Sequence, residues 1–254
     1  MSDGPKMRAV VTGGGTGVGR ATALLLAKRG YDVAINYSRS ESEAEHTVEQ
    51  IREHGVDAFS IQADVSDRSQ VVTMTQAIQS RWSGLDVAVN NAATTHFIGL
   101  GDLDEITDEV WDQILSVNLK GAFWVAQQMV PLMEGRPSAS IVNVASMAGV
   151  TGAGSCLPYA ASKGAMMTMT KSLARGLAPQ VRVNAVCPGP VDSAMTESVT
   201  GDAREKYLSR YTILNRSGHP SEIAHTVLSL AMPASAFATG STVIVDGGLI
   251  ARST

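Results

Sequence analysis

The sequence predicts a doubly wound α/β fold in which a parallel sheet of about seven strands carries helices on both faces. Short runs of β-branched residues recur along the 254 residues, and longer stretches with helical spacing of apolar residues separate them. Strands and helices that alternate in this way form βαβ units, whose right-handed crossovers place the strands parallel. A glycine-rich turn directly after the first run is typical of the first βα unit of such sheets.

Each element can be placed on the chain. The predicted strands lie at 9–11, 33–35, 58–61, 87–89, 141–144, 181–186 and 243–245. The predicted helices lie at 17–29, 41–54, 67–82, 108–134, 159–178 and 220–232. We expect a single dinucleotide-binding domain over 1–254, since α/β chains of about this length fold as one unit. The stretch 188–220, with a short helical pattern near 203–210, is long enough to contain a substrate lid around 189–218.

Composition and charge exclude several classes of protein. The chain has 20 Lys plus Arg against 24 Asp plus Glu, so it lacks the positive surplus that binds phosphate backbones. No apolar run approaches the roughly 18 residues that span a bilayer, and the N-terminus lacks the apolar segment of a signal peptide. Cys156 and Cys187 have no metal-binding or disulfide spacing. We expect a cytoplasmic protein without nucleic acid, membrane or metal partners.

The turn at 12–19 is the first candidate for a binding site. It reads T-G-x-x-x-G-x-G rather than the more familiar G-x-G-x-x-G, and it leads straight into the first helix. Glycines here leave backbone N–H groups open at the positive end of the helix, where a diphosphate can approach because no Cβ blocks it. We therefore predict a Rossmann-type dinucleotide site, with a simple tight loop as the alternative.

The end of the second strand indicates which dinucleotide is bound. The segment 36–40 contains Tyr37, Arg39 and Ser40, and no acidic residue. Arg and Ser can receive the 2′-phosphate of NADP, whereas an acidic residue there would accept hydrogen bonds from the ribose of NAD. NADP is therefore favoured and NAD is less well matched, although Arg39 could also be a solvated charge at the start of a helix.

Two further strand ends complete the predicted cofactor site. Asp64 and Val65 follow the third strand, where a carboxylate and a valine suit the amino group and ring of adenine. The alternative is that Asp64 or Ser66 caps the next helix. Asn91, in the segment 90–93 after the fourth strand, lies next to the expected ligand crevice, or satisfies backbone groups there.

Ser146, Tyr159 and Lys163 form the strongest chemical pattern. Tyr159 and Lys163 are four residues apart, so a helix that begins near Pro158 presents both side chains on one face. A phenol exchanges protons slowly near neutral pH unless a nearby cation favours its ionised form, and Lys163 supplies the cation. Ser146 closes the fifth strand, where its hydroxyl can stabilise charge on a carbonyl oxygen. Asn118, in a helix that does not favour asparagine, is a candidate for relaying protons from Lys163.

These residues together resemble the short-chain dehydrogenase/reductase family, over almost the entire chain, and in particular its 3-oxoacyl-[acyl-carrier-protein] reductase branch. The motifs that carry the resemblance are Thr12-Gly13-x-x-x-Gly17-x-Gly19, Asn90-Asn91-Ala92, Asn118, Ser146, Tyr159-x-x-x-Lys163, Arg182-Val183-Asn184, Pro188-Gly189 and Val245-Asp246-Gly247-Gly248. Ala93 replaces a common glycine. Thr16 stands where NADP-preferring members often carry arginine, which weakens the cofactor preference.

The resemblance implies a role for each site residue. Tyr159 is the acid/base, Lys163 lowers its pKa and holds the nicotinamide ribose, Ser146 orients the carbonyl, and Asn118 anchors a water in the proton path. The implied cofactor contacts are Gly13, Gly14, Gly15, Thr16, Gly17, Val18 and Gly19 at the diphosphate, Asp64 and Val65 at adenine, Asn91 at the ribose, and Val191 with Ser193 at the carboxamide. A homo-oligomer, with a tetramer favoured, is implied through packing of 108–134 and 159–178.

The sequence thus predicts an NADP-dependent oxidoreductase that moves a hydride between nicotinamide and a carbonyl or secondary alcohol, with a 3-oxoacyl thioester as one candidate. The alternatives are an NAD-dependent alcohol or sugar dehydrogenase and a non-catalytic dinucleotide sensor. The segments that shape the substrate pocket are expected at 94–106, where His96 faces substrate or solvent, and at 147–157 and 190–217.

Overall fold

A computed structural model describes residues 6–192 and 212–251 of the chain. Seven strands form one sheet, and every neighbouring pair is parallel. The strands are β1 (Arg8–Thr12), β2 (Asp32–Tyr37), β3 (Ala58–Gln62), β4 (Val87–Asn90), β5 (Ser140–Val144), β6 (Arg182–Pro188) and β7 (Thr242–Val245). All seven predicted strands are present, and the predicted fold class is confirmed.

Helices cover both faces of this sheet. They are α1 (Gly17–Lys28), α2 (Glu41–Arg52), α3 (Arg68–Arg81), α4 (Asp108–Leu115), α5 (Ala122–Met129), the short α6 (Ala148–Thr151), α7 (Leu157–Leu177) and α8 (Pro220–Ala231). None of the helices within the described ranges has the length and apolar character that crossing a bilayer requires. The predicted helical pattern at 203–210 lies outside the described residues.

One predicted helix differs from the structure. The stretch 108–134 is helical, but a π-helical segment, Ser116–Gly121, separates α4 from α5, and a 3-10 turn, Val130–Met133, ends it. A π segment accommodates one extra residue in a turn, a change that apolar periodicity does not reveal. The segment Ser116–Gly121 contains Asn118, whose side chain is fully buried.

The strand order places the functional crevice. From one edge to the other the order is β3-β2-β1-β4-β5-β6-β7, so the chain builds outward from β1 in one direction and then returns to begin β4 on its other side. The connections after β1 and β4 therefore leave on opposite faces of the sheet. A crevice opens between them beyond the carboxyl ends of these strands, as in other doubly wound sheets.

Two apolar layers hold the helices to the sheet. On one face Leu26 of α1 and Val227 of α8 pack against strand residues such as Val11. On the other face Met74 of α3 and Met129 of α5 lie in the second layer. The central strands are buried on both faces, which explains why β-branched runs, rather than alternating patterns, marked them in the sequence.

A buried polar chain crosses the centre of the sheet. Asn90 donates to Oδ1 of Asn143 at 2.8 Å, and Asn143 donates to Oγ1 of Thr170 on α7 at 2.8 Å. Thr170 in turn donates to the Met166 carbonyl at 2.9 Å. Since Asn143 and Thr170 are both fully buried, this chain ties β4 and β5 to α7 in an interior where unpaired polar groups are costly.

We expect Thr170→Val to lower the free energy of unfolding by about 1–3 kcal/mol, because it keeps the side-chain shape but leaves the buried Asn143 amide without its acceptor. Urea denaturation measures the change. Thr73→Val is the matched control. Like Thr170, Thr73 donates to the carbonyl four residues earlier, but it lies on the exposed face of α3. We expect this substitution to change the free energy of unfolding by less than about 0.5 kcal/mol. Equal effects of the two substitutions would contradict the role of the buried chain.

Candidate active site

A large cavity of about 1420 Å³ lies at the carboxyl edge of the sheet. That volume exceeds the roughly 300–1,000 Å³ of ordinary small-molecule pockets, so it has room for a dinucleotide and a substrate together. The predicted site residues that line it are Gly13, Thr16, Gly17, Val18, Tyr37, Arg39, Ser40, Asp64, Val65, Asn91, Ser146, Tyr159, Lys163 and Val191. Most of the predicted site is therefore brought to one place by the fold.

The glycine turn offers the start of α1 to this cavity. Gly13 has a φ of 63° and Gly17 a φ of 51°, backbone conformations that favour glycine. The N-cap of α1, Thr16, makes no side-chain capping bond, so the first N–H groups of the helix are not capped by that side chain. An anionic diphosphate fits this end of the helix, where the backbone carries partial positive charge.

Three of the predicted contacts at the turn, Gly14, Gly15 and Gly19, do not line the cavity. Close packing favours glycine at all three positions. A Cβ on Gly19 would lie 2.2 Å from the Gly13 carbonyl oxygen, and one on Gly14 would lie 2.6 Å from Cγ2 of Ile35. A Cβ on Gly15 would lie 3.0 Å from the Ala44 nitrogen. Close backbone approach explains why these three positions are glycine, and their predicted contact with the diphosphate stays a prediction.

The paired asparagines have different roles. Asn91 lines the cavity and donates from Nδ2 to the Thr12 carbonyl at 3.0 Å and to the Gly13 carbonyl at 3.2 Å. Thr12 Oγ1 accepts the Asn91 backbone N–H at 3.0 Å, so the glycine turn is held against the end of β4. Asn90 is buried and satisfies groups inside the fold.

The residues after β3 decide between two interpretations of Asp64, as a ligand contact or as a helix cap. Asp67, not Asp64 or Ser66, caps α3, because its side chain accepts from the Ser69 and Gln70 N–H groups. Asp64 lines the cavity, and its Oδ1 accepts from the Ser66 backbone and hydroxyl at 2.9 and 2.7 Å. The helix-capping alternative for Asp64 is therefore wrong, and its carboxylate lies where a ligand can reach it.

Ser146, Tyr159 and Lys163 lie on one wall of the cavity. Helix α7 begins at Leu157 with Pro158 in its first turn, as expected, and the Lys163 Nζ is 5.7 Å from the centre of the Tyr159 ring. Ser146 follows β5, where its Oγ accepts the Ala148 N–H at 3.1 Å. The predicted sharing of one helix face by the tyrosine and the lysine is confirmed by this geometry.

Lys163 is an ammonium group in the interior of the protein. Its side chain is 2% exposed, and Nζ donates to the Val144 carbonyl at 2.8 Å. Burial lowers the pKa of Lys163 to about 8, while the neighbouring Cys187 opposes that change. Near neutral pH this lysine is therefore close to the point at which it gains or loses its charge.

Burial raises the pKa of Tyr159, and a side-chain hydrogen bond with Ser146 lowers it in part. The overall direction is upward, and the lowering of this pKa that the resemblance attributes to Lys163 stays a prediction. The physical reason is desolvation: the phenolate form is disfavoured in a buried site, and the ammonium group is directed at the Val144 carbonyl. The tyrosine is consequently a proton donor at neutral pH.

Asn118 lies beneath the cavity rather than on its wall. Its Oδ1 accepts the Thr94 N–H at 2.8 Å, and its Nδ2 donates to the Thr94 carbonyl at 3.0 Å and to Ser162 Oγ at 3.1 Å. Ser162 donates to the Tyr159 carbonyl at 2.7 Å. Both amide hydrogens are thus occupied, and the side chain positions the loop after β4 against α7. That Asn118 anchors a water in the proton path stays a prediction.

The substrate end of the cavity is built by the segment after β4. Thr95 hydrogen-bonds Ser155, and His96 Nε2 donates to Gln113 Oε1 at 2.8 Å. Gln113 and Leu249 line the cavity but were not singled out from the sequence, because neither lies in a motif. His96 does not line the cavity; it holds Gln113.

The remaining predicted contacts lie in the segment after β6. Val191 lines the cavity and pairs with Gly218 in a short β-bridge. Ser193 lies outside the described residues, as does most of the predicted lid at 189–218. Within the ranges 6–192 and 212–251, no cluster of His, Cys, Asp and Glu is suited to hold a metal ion.

Comparisons with known proteins find relatives over almost the entire chain. The sequence profile of the family described as "Enoyl-(Acyl carrier protein) reductase" matches residues 13–250. The 3-oxoacyl-[acyl-carrier-protein] reductase FabG of Staphylococcus aureus is 40% identical over 242 residues, which are 95% of this chain and 97% of that protein. A crystal structure from Burkholderia xenovorans has a TM-score of 0.90 and 34% identity, covering 99% of this chain and 100% of that one. The structure of "Short-chain dehydrogenase/reductase SDR:Glucose/ribitol dehydrogenase" from Brucella melitensis has a TM-score of 0.86 and 31% identity, covering 96% of both chains.

The buried lysine should leave a signature in the pH dependence of stability. The folded chain releases the Lys163 proton near pH 8, whereas the unfolded chain keeps it to about 10.5, so between these values the unfolded state binds more protons and stability rises with pH. We expect the free energy of unfolding of the wild type, relative to Lys163→Met, to increase by about 3 kcal/mol across this window.

Urea unfolding at a series of pH values measures this difference, and titrating groups that do not interact with Lys163 cancel in the comparison. Lys171→Met, which removes an exposed lysine from the same helix, controls for the loss of a lysine from α7. If the difference in free energy of unfolding between the wild type and Lys163→Met stayed constant with pH, burial would not lower the pKa of Lys163.

Proposed function

This chain belongs to the short-chain dehydrogenase/reductase family, and on that premise we propose that it is an NADPH-dependent reductase of 3-oxoacyl thioesters. The chain is an NAD(P)-dependent oxidoreductase that moves a hydride between a nicotinamide and a carbonyl or secondary alcohol. The observation that carries the proposal is that Ser146, Tyr159 and Lys163 line the same cavity as the glycine turn. A scaffold that only sensed a dinucleotide would have no need of this proton-transfer group.

The chemistry of the site follows from its side chains. When bound, the reduced nicotinamide supplies the hydride that adds to the carbonyl carbon. Tyr159 gives its phenolic proton to the carbonyl oxygen, and the product is a secondary alcohol. Ser146 donates a hydrogen bond to the same oxygen as negative charge develops on it. Lys163 places a cation beside the phenolate that remains, which is stabilised until a proton from solvent restores the phenol.

The raised pKa of Tyr159 supports the reductive direction. A phenol that stays protonated at neutral pH is ready to act as an acid, whereas oxidation of an alcohol begins with the phenolate. Burial of the ring therefore favours carbonyl reduction over alcohol oxidation near pH 7. Alcohol oxidation should become competitive only at higher pH.

The preference for NADPH rests on the end of β2. Ser38, Arg39 and Ser40 line the cavity there, and the lining contains no acidic residue at this strand end. A guanidinium and two hydroxyls suit a 2′-phosphate, which a carboxylate at this place would repel. Thr16 adds no positive charge, so the preference depends on Arg39.

The substrate class rests on the other end of the cavity. Phe97, which is 55% exposed, provides an apolar surface in the cavity that Gln113 also lines. Because His96 occupies Oε1 of Gln113, the amide hydrogens of Gln113 remain to donate to a second carbonyl. An apolar surface beside a donor suits an acyl chain that carries a thioester, in agreement with the name of the Staphylococcus aureus relative.

One alternative has a specific observation in its favour. The Brucella melitensis structure is described as a glucose/ribitol dehydrogenase, and its similarity extends over 96% of this chain. An NAD-dependent alcohol or sugar dehydrogenase is therefore the second candidate. It differs from the first in the cofactor and in the polarity of the substrate, and both can be measured together.

The organisation of the protein completes the proposal. We propose one dinucleotide-binding domain over 1–254 with a substrate lid around 189–218, a homotetramer, and a cytoplasmic location. The family resemblance supports the tetramer, which would cover α4, α5 and α7. Phe123 on α5 is partly exposed in the single chain, as a residue at such an interface would be.

Tyr159→Phe should lower kcat by at least about 10², because it removes the acid while leaving the ring, whereas the affinity for NADPH should change little. The measurements are turnover of acetoacetyl thioester, simple ketones and polyols with each cofactor, and NADPH titration in the absence of substrate. Tyr31→Phe is the matched control, since Tyr31 is also buried but belongs to the apolar core at the start of β2.

The outcomes separate the candidates. Faster turnover of polyols with NAD than of acetoacetyl thioester with NADPH would replace the proposed reductase by the sugar dehydrogenase. Tight NADPH binding without turnover of any substrate in the wild type would favour the dinucleotide sensor. Equal losses in Tyr159→Phe and Tyr31→Phe would remove Tyr159 from the mechanism.

A further inference from the structure

The NADPH end of the cavity contains a conflict of charge. Arg39 lines the cavity, yet Glu41 follows only two residues later, in the first turn of α2. Two long side chains at this spacing can form an ion pair. Such a pair would neutralise the guanidinium and place a carboxylate where a phosphate must bind.

In the structure the two side chains are kept apart. Tyr37 donates from its hydroxyl to Oε1 of Glu41 at 3.1 Å. Arg39 makes no hydrogen bond and no ion pair with any residue in 6–192 or 212–251. The carboxylate that could compete for the guanidinium is thus bound to a phenol, and the guanidinium is available to a ligand.

We propose that Tyr37 is a positioning residue for cofactor selection: by holding the Glu41 carboxylate, it leaves Arg39 available to the 2′-phosphate of NADPH. This role rests on the proposed NADPH preference and gives it a second determinant beyond the arginine itself. A 2′-phosphate carries the charge that distinguishes the two cofactors, so Tyr37 affects NADPH and not NADH.

Tyr37 is well placed to act in this way. It is the last residue of β2, pairs with Gln62 of β3, and is 6% exposed, so its ring is fixed by the core. The chain beyond it is held by Gln62, which donates to the Ser38 carbonyl at 3.2 Å. Burial and the contact with Glu41 raise the pKa of Tyr37, so its hydroxyl remains a donor at neutral pH.

The geometry also makes the conservative substitution informative. Tyr37→Phe retains the buried ring and removes only the hydroxyl that Glu41 uses. Arg39 is then the cationic residue nearest in sequence to the freed Glu41 carboxylate. The loss of NADPH affinity should therefore depend on Glu41 being an acid, which a second substitution can test.

The experiment measures equilibrium binding of NADPH and NADH to the full chain by fluorescence titration, without substrate. Tyr37→Phe should lower the ratio of NADPH to NADH affinity by about three- to fivefold, the size expected for competition by an exposed ion pair. In the Glu41→Gln background the same Tyr37→Phe change should have no effect on the ratio. Thermal unfolding of each variant confirms that it folds.

Glu43 provides the matched control. It lies in the same first turn of α2, carries the same charge and is exposed, but the hydroxyl of Tyr37 hydrogen-bonds Glu41 and not Glu43. Tyr37→Phe combined with Glu43→Gln should keep the lowered ratio relative to Glu43→Gln alone. This comparison separates the placement of one carboxylate from the net charge of the helix end.

The possible failures are distinguishable. If the wild type binds NADH as tightly as NADPH, the proposed cofactor preference is wrong and the role of Tyr37 is overturned with it. If the wild type prefers NADPH but Tyr37→Phe leaves the ratio unchanged, or lowers it equally in the Glu41→Gln background, only the role of Tyr37 is overturned. If Glu43→Gln also restored the ratio of NADPH to NADH affinity in Tyr37→Phe, the effect would be due to net charge, and the role of Tyr37 would be overturned.

Discussion

The contact between the Lys163 ammonium and the Val144 carbonyl is the interaction on which the active site depends. It joins α7 to the end of β5, and thereby sets Tyr159 on the helix against Ser146 on the loop that follows the strand. The contact is maintained at a cost, because burial opposes the charge that the reaction needs. A methionine would suit the same space without that cost, so the lysine is better explained by its proposed part in proton transfer than by stability.

The surrounding fold makes this costly arrangement possible. The crevice lies where the connections after β1 and β4 leave on opposite faces of the sheet, and the glycine turn there packs so closely that Gly19 has no space for a Cβ beside the Gly13 carbonyl. On the other side of the opening, the chain of Asn90, Asn143 and Thr170 fixes β4 and β5 against α7. The cofactor end is thus positioned by backbone contact and the proton-transfer end by buried hydrogen bonds.

Much of this architecture could be predicted from the sequence, for reasons that are specific to each element. Buried parallel strands require β-branched runs, and the turn requires glycine, so periodicity and one motif were sufficient for the fold and for most of the cavity lining. The positions of individual side chains in space were harder to predict. Asp67 caps α3 although Asp64 was an equally good candidate in the sequence, because capping depends on backbone geometry at one residue. The π-helical segment at Asn118 and the raised pKa of Tyr159 are consequences of tertiary packing that no local pattern carries.

The substrate end shows why a reaction can be assigned from a sequence more readily than a substrate. Side-chain hydrogen bonds help to fix the segment after β4, among them Thr95 with Ser155 and His96 with Gln113. None of these partners needs to be one particular residue type for the fold to form, whereas the turn accepts only glycine at Gly19 and the proposed proton transfer needs the phenol of Tyr159. Physical necessity is concentrated at the cofactor and the proton donor. The residues that choose the substrate are held by replaceable contacts, and their identity becomes visible only when the fold brings Gln113, Phe97 and the catalytic wall to the same cavity.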